Sequence, residues 1–196
     1  MNKGFSLIEV LVVALIIVTL ALVARPLYEN TVWKSRAQSL QIAVKNVAEA
    51  QERYRLANGE CAQTFGELDM SVDSLPQTTP GLSTTFFMLY AIQPLSEDAV
   101  RGNDFFEVAL GGFTASSNNV CWTLGRFKKG PWKGGQLAAP EGIAFPHEDY
   151  RLSKDRLKRL YCTEGTGESS DFCHKLLNKD SSQAQTFNNA RLYKLQ

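Results

Sequence analysis

The chain has 196 residues, enough for one globular domain of ordinary size and one additional segment. Its 21 basic and 20 acidic side chains almost cancel, so the formal net charge is +1. A charge this small gives no bulk electrostatic reason to expect nucleic acid or an acidic partner. Hydrophobic residues make up 44% of the chain, as in ordinary folded proteins.

The first element is an apolar run from Phe5 to Ala24, interrupted only by Ser6, Glu9 and Thr19. It is about as long as a helix that crosses a bilayer, and a backbone in lipid must satisfy its own hydrogen bonds by forming a helix. The run is longer than the apolar part of a secretory signal, and no small-x-small cleavage site follows it. The sequence therefore predicts a retained membrane anchor.

Glu9 is the one charge inside this run. An acidic side chain at the centre of a membrane helix costs roughly 2.5–3.5 kcal/mol, and such residues are usually paired or functional. One interpretation is a carboxylate that reaches the headgroups from near the membrane face. The other is an ion pair. The run contains no Lys, Arg or His, but cleavage before Phe5 would create an α-amino group that a neighbouring copy could present.

The residues KGFSLIEVLVV at positions 3–13 resemble the class III leader and N-terminal helix of type IV pilins and pseudopilins. The resemblance implies that residues 1–4 are a leader, that a prepilin peptidase cuts after Gly4, and that Phe5 becomes the methylated first residue. It also implies that Glu9 pairs with the terminal amine of a neighbouring subunit during assembly.

The helical period continues beyond the apolar run, and Asn58-Gly59 is a typical helix stop. We expect one helix over residues 5–57, bent near Pro26 because proline cannot donate the i→i−4 hydrogen bond. The resemblance assigns the same kink to Pro26 and an aromatic position to Tyr28. Residues 5–27 would form the transmembrane and assembly helix. The rest of the chain, residues 28–196, would form the globular head. The apolar side of helix 28–57 is expected to include Leu40, Val44, Val47, Ala48 and Tyr54.

Residues 58–83 are expected to form a loop with a short helical turn near Phe65. A connection this long in a compact domain is often functional. The resemblance implies that this αβ loop contributes to contacts between subunits.

The remaining chain, residues 84–196, is predicted to contain a sheet and a loop-rich C-terminal region. Aromatic and β-branched runs predict strands at 84–92, 104–110 and 119–127, joined as an antiparallel meander that the amphipathic half of the helix covers. After Gly135 the chain is expected to be irregular, followed by a short basic helix at 152–160. The fold class is therefore α+β. The tail is either a last strand at 190–193 or loose.

The four cysteines favour disulfides and an oxidising compartment. Cys162 and Cys173 would close a loop of about a dozen residues, which is worth about 3 kcal/mol in the chain-entropy model. This pair also resembles the disulfide-bounded C-terminal loop of many pilins. Cys61 and Cys121 remain as the second pair, although four cysteines allow three connectivities.

Other candidate sites are weaker. The segment at residues 126–133 mixes cations and aromatic rings and could bind single-stranded nucleic acid, but a hairpin turn whose rings reach the core is favoured. Cys162, Cys173 and His174 lack a zinc spacing. Glu164, Glu168 and Asp171 could bind calcium, as a loop does in some pseudopilins, but they do not match an EF-hand, so a solvated acidic loop is preferred. His147 and His174 lack a neighbouring nucleophile, so we expect no enzyme, no metal and no cofactor.

The resemblance leads us to expect a structural subunit of a type IV pilus-like filament, polymerised through its N-terminal helix. Its partners would be other pilin subunits, the prepilin peptidase and the assembly machinery of the inner membrane, with residues 5–24 in the membrane before assembly. The mature protein would lie in an extracellular pilus. One alternative is a pseudopilin of a type II secretion or DNA-uptake machine, in a periplasmic pseudopilus. The other is a membrane-tethered binding domain.

Overall fold

The computed structural model of the chain describes residues 6–71, 75–77, 97–115, 118–142, 160–165, 172–177, 185–187 and 190–195. By its internal contacts the chain divides into two units, residues 1–38 and residues 39–196. Helix α1 (Leu7–Asn58) begins in the first unit and ends in the second. Among the described residues, it is the one helix long and apolar enough to cross a membrane.

Helix α1 ends where the sequence predicts. Gly59 follows it with a φ of 80°, a conformation that glycine adopts without steric cost, and its N–H donates to the carbonyl oxygen of Arg55 at 2.8 Å. Pro26 lies inside the helix. Because it has no amide hydrogen, the bond to the carbonyl of Leu22 is absent. The bend at Pro26 stays a prediction.

The second unit contains a seven-stranded sheet in the order β1-β2-β3-β4-β5-β7-β6, with every described pair antiparallel. The first five strands follow one another as the predicted meander. The strands are β1 (Val100–Gly102), β2 (Phe106–Ala115), β3 (Asn118–Phe127), β4 (Gln136–Gly142), β5 (Tyr161–Gly165), β6 (Gln185–Phe187) and β7 (Ala190–Lys194).

Two predictions about the sheet are wrong at their edges. The strand predicted at 104–110 is present as β2, but Gly111 and Gly112 do not end it. They pair with Trp122 and Cys121 of β3, and this ladder holds the glycines in an extended conformation. The prediction of irregular chain after Gly135 is also wrong, because β4 begins directly afterwards and pairs with β3 along its whole length.

Other predicted elements have different outcomes. The strand predicted at 119–127 is confirmed as β3, and the last strand predicted at 190–193 is confirmed as β7. The short turn predicted near Phe65 is a 3-10 turn at Phe65–Glu67. The strand predicted at 84–92 lies outside the described residues, as does all of the predicted basic helix except its last residue.

Residues 39–58 of α1 pack against the sheet with the predicted apolar side. Leu40, Val44 and Val47 are completely buried there. Gly125 of β3 lies directly under the helix, since a Cβ built on it would stand 2.7 Å from Leu40 Cδ1 and clash with Val44. Each fully buried Leu or Val is worth about 1.5–3 kcal/mol relative to exposure. Tyr54, which the sequence assigned to this side, is half-buried. The α+β class follows from this helix-on-sheet layer.

Two disulfides hold the unit together. Cys61, three residues after α1, is bonded to Cys121 of β3, with 5.4 Å between the Cα atoms. Cys162 of β5 is bonded to Cys173 of the short helix α2 (Phe172–Leu177), with 5.7 Å between the Cα atoms. These are the two pairs that the sequence analysis named.

Candidate functional site

The largest unusual surface of the first unit is the apolar side-chain layer of α1. Every Leu, Ile and Val from Leu7 to Leu27 is at least 46% exposed, and Leu7 is 83% exposed. The exposure extends all round the helix, whereas a helix at the surface of a globular domain buries one apolar stripe. Soluble monomers rarely expose a continuous apolar surface of this size, so lipid or other protein must cover it.

Glu9 lies in the first turn of α1. Its Oε2 accepts the backbone N–H of Ser6 at 2.8 Å, and the carbonyl oxygen of Ser6 accepts the N–H of Glu9 at 3.0 Å. Ser6 and Glu9 therefore stand three residues apart as in a capping box, in which the acidic side chain reaches back to the N-cap amide. The negative charge also lies at the positive end of the helix dipole.

The predicted processing residues Gly4 and Phe5 lie outside the described residues. Within the part of the chain that is described, Glu9 has no cation within ion-pair distance, and its one printed partner is the Ser6 amide. The structure thus places Glu9 on the exposed apolar helix with one oxygen engaged locally.

The helix becomes polar where the apolar run ends. Arg25 Nε contacts Glu29 Oε1 at 3.1 Å across one turn, with both side chains mostly exposed. Tyr28 is 72% exposed. One turn later, the guanidinium of Arg36 lies 4.5 Å from the ring centre of Trp33. Mixed aromatic and charged side chains are typical of the level where a membrane helix meets water.

In the second unit, a polar contact joins α1 to the sheet. Gln51 is completely buried. Its Nε2 donates to the carbonyl oxygen of Gly111 at 3.3 Å, and its Oε1 accepts the hydroxyl hydrogen of Thr123 at 3.0 Å. A buried amide is tolerated because both of its ends are paired, and the pairing fixes the position of the helix along the strands.

The start of the αβ loop is held against the end of α1. Besides the disulfide of Cys61, Phe65 is 1% exposed. Both guanidinium nitrogens of Arg53 that face Asp69 donate to its carboxylate at 2.8 Å. These hydrogen bonds lower the pKa of Asp69 and raise the pKa of Arg53. The loop is thus attached to the head at three points between residues 61 and 69.

Tyr54 marks an acidic surface beside this loop. Its pKa is raised, first by partial burial and then by the carboxylates of Glu67 and Glu60, which disfavour a phenolate nearby. The two carboxylates therefore act on the same phenol. We call Glu60 and Glu67 with Tyr54 the acidic corner.

The cation–aromatic segment forms the connection between β3 and β4. Phe127 is completely buried and Trp132 is 7% exposed. The two rings are 6.1 Å apart, and both contact Phe172 of α2. The rings are therefore not available to stack on bases, and the hairpin-turn interpretation of this segment is confirmed. Lys129 and Lys133 are exposed.

Comparisons of the chain with family models, curated proteins and solved structures find no match.

The weaker sites also have an outcome. Cys162 and Cys173 are disulfide-bonded, so they cannot act as thiolate ligands for zinc. Among the described residues no group of three His, Cys, Asp or Glu side chains could hold a metal ion. Of the calcium candidates, Glu168 and Asp171 lie outside the described residues, and so do the side chain of Glu164 and all of His147.

One open cavity of about 430 Å³ lies where the turn between β1 and β2 meets Lys128. In it Lys128 Nζ donates to the carbonyl oxygen of Asn103 at 3.3 Å, and Asn103 Oδ1 accepts the N–H groups of Phe105 and Phe106. These contacts organise the turn. The lining has no nucleophile with an adjacent base; it consists of Pro76, Gln77, Gly102, Asn103, Asp104, Phe105 and Lys128.

Sequence reasoning missed several of these residues. Ser6-x-x-Glu9 is a capping-box pattern that the sequence carries openly. Gln51 continues the spacing of the apolar side of α1, four residues after Val47, so its burial could have been predicted. The acidic corner had no local signal, because it depends on how the αβ loop folds back on the helix.

Proposed function

We propose that this chain is a structural subunit of a type IV pilus-like filament. The leader of residues 1–4 is removed by a prepilin peptidase, Phe5 becomes the first residue, and the subunits polymerise through the apolar half of α1. The observation that carries the proposal is the fully exposed apolar surface from Leu7 to Leu27 on a helix that continues into an α+β head.

This surface supports two successive environments. Before assembly the run from residue 7 to residue 24 has the length and composition to span a bilayer. In a filament the same side chains pack against other copies. Both environments remove the apolar area from water, and each fully buried aliphatic side chain gains about 1.5–3 kcal/mol relative to exposure.

Glu9 sets the register between copies. Its Oε2 is engaged by the Ser6 amide, while a carboxylate has acceptor capacity for further hydrogen bonds. The remaining capacity of Glu9 accepts the α-amino group of Phe5 from a neighbouring subunit. In a dry bundle, the pair is favourable only if both charges are present, because an unpaired buried charge costs several kcal/mol.

The head is consistent with a position outside the cytoplasm. All four cysteines form disulfides, which persist in oxidising compartments such as the bacterial periplasm or cell surface. The apolar run then holds the subunit in the inner membrane until it is incorporated into the filament.

The test compares Glu9→Ala with Glu29→Ala, an acidic-residue control on the same helix whose partner Arg25 is exposed. Filaments are sheared from cells that also produce the assembly machinery, and processing is followed by mass spectrometry of the N-terminus. We expect both variants to begin at Phe5, with filaments lost only in Glu9→Ala. Gly4→Glu should block cleavage.

Normal filament yield from Glu9→Ala, or an intact Met1 on the native protein, would reject the proposal. The second result would favour a membrane-tethered binding domain. Filaments confined to the periplasm would instead assign the chain to a pseudopilus of a secretion or DNA-uptake machine.

A further inference from the structure

The connection between β3 and β4 is a rigid surface of positive charge, which we call the basic turn (residues 128–135). Gly130 and Gly134 have φ of 85° and 86°, a conformation that favours glycine. The N–H of Gly134 donates to the carbonyl oxygen of Phe127 at 3.0 Å, and the N–H of Lys133 donates to that of Gly130 at 3.1 Å. With Trp132 anchored in the core, the turn holds Lys129 and Lys133 outward.

The acidic corner carries the opposite charge. Glu60 and Glu67 are exposed. Arg53, the nearest cation on the preceding turn of the helix, is already engaged by Asp69 in two hydrogen bonds. The corner also follows the C-terminal end of α1, where the helix dipole is negative. Its charge is therefore not cancelled by that arginine.

The two surfaces lie toward opposite ends of the same strand. The acidic corner is tied to β3 by the disulfide from Cys61 to Cys121, and the basic turn begins directly after Phe127. Six residues of a strand span about 20 Å. At physiological ionic strength the Debye length is about 8 Å, so the two surfaces do not neutralise each other within one molecule.

We propose that, in the filament inferred above, the basic turn of one copy contacts the acidic corner of the next copy. The inference rests on the proposed function and adds the head surfaces to the helix contacts. Two different surfaces that meet head to tail form a heterologous interface, and such an interface generates an open helical polymer when the rotation does not close a ring. Complementary charges at this contact select the partner and fix the register.

The structure favours a second copy over a nucleic acid as the partner of the basic turn. Binding to single strands relies on aromatic rings that stack on bases, and here both rings of the turn are buried. The chain as a whole has a net charge of only +1. The acidic corner, in contrast, supplies an opposite charge on the same molecule, so every copy brings both halves of the contact.

The experiment uses charge reversal in cells that produce the full chain and the assembly machinery. K129E/K133E reverses the basic turn, E60K/E67K reverses the acidic corner, and the quadruple variant exchanges the two. All substituted side chains are exposed, and K45E, on an exposed position of α1, is the control for a change of charge elsewhere. Thermal unfolding of each purified chain in detergent checks the fold.

We expect each double variant to lower the yield of sheared filaments at least tenfold. The quadruple variant should recover most of that yield, and K45E should match the wild type. Wild-type yield from both double variants would overturn the inference and leave the proposed function standing. So would a quadruple variant that fails to recover.

Two further outcomes are informative. If K129E/K133E keeps its filaments but loses retention of duplex DNA, the basic turn serves a nucleic acid and the inference is overturned. If the wild-type chain itself forms no filaments, the proposed function fails and the inference fails with it. Loss and recovery of yield across the charge exchange is the result that supports the contact.

Discussion

Thr123 on strand β3 donates its hydroxyl hydrogen to the buried Oε1 of Gln51 on helix α1, at 3.0 Å. The other end of the Gln51 amide donates to the carbonyl oxygen of Gly111 on β2. One side chain of the helix thus joins two neighbouring strands in a region that is otherwise apolar. An apolar contact tolerates small shifts along the strands, whereas these hydrogen bonds are lost if the helix slides.

Replacement of Gln51 by alanine should lower the free energy of unfolding by about 1–3 kcal/mol, because the Thr123 hydroxyl and the Gly111 carbonyl lose a partner in the core. Urea titration of the full chain in detergent micelles measures the loss. The double variant Q51L/T123V should recover part of it, since both polar partners are then replaced by apolar groups of similar shape. Equal stability of Q51A and the wild type would show that the contact is not stabilising.

Replacement of Gly125 by alanine should cost about 1–3 kcal/mol through overpacking, because the added methyl group would lie 2.7 Å from Leu40 Cδ1. The control is Gly66→Ala in the αβ loop, where the nearest atom to the new Cβ is 3.9 Å away. The control should change stability by no more than about 0.5 kcal/mol. If both variants unfold at the same urea concentration, the helix does not lie as close to β3 as described.

The sequence could predict the helix, its end at Gly59 and two of the central strands, because these depend on local patterns. The remaining strands depend on their neighbours. Strand β4 contains Pro140 and several small residues, which disfavour a strand. It forms because β3 pairs with it throughout, while β5 pairs only with Gln136–Ala138, so the proline lies where no described strand needs its missing N–H.

The candidate site divides in the same way. Glu9 was found because a charge in an apolar run is conspicuous in the sequence alone. The acidic corner was not found, because Glu60 and Glu67 are ordinary surface residues until the loop brings them to Tyr54. The basic segment was noticed, but only burial decided that its aromatic rings are anchors of the turn.

The two disulfides should differ in their contribution to stability. Cys61–Cys121 closes 60 residues and Cys162–Cys173 closes 11. In the chain-entropy model these loops are worth about 4 and about 3 kcal/mol. Urea unfolding of C61A/C121A should therefore show a larger loss than that of C162A/C173A. A larger loss for the short loop would mean that native contacts of α2, and not loop length, set the order.

The Arg53–Asp69 ion pair should make stability depend on acidity. Because the pKa of Asp69 is lowered in the folded chain, its contribution is complete above the ordinary aspartate pKa of about 3.9 and is lost as the pH falls through the lower folded value. The midpoint of thermal unfolding, followed from pH 6 to pH 2, should fall less steeply in Asp69→Asn than in the wild type. Identical slopes would contradict the lowered pKa.

The two roles of Glu9 can be separated by one atom. Glu9→Gln keeps an oxygen that accepts the Ser6 N–H but removes the negative charge, whereas Glu9→Ala removes both. Hydrogen exchange of the Ser6 amide in detergent-solubilised monomers should be about fivefold faster in Glu9→Ala, which corresponds to about 1 kcal/mol for the lost capping interaction.

In Glu9→Gln the exchange should stay close to the wild-type rate, because the amide oxygen still caps the helix. Filaments should nevertheless be absent, because a neutral side chain cannot balance the terminal amine of the next subunit. Glu29→Gln, on the same helix, should change neither measurement. Filament formation by Glu9→Gln would show that the hydrogen bond to Ser6, and not the charge, is what assembly requires.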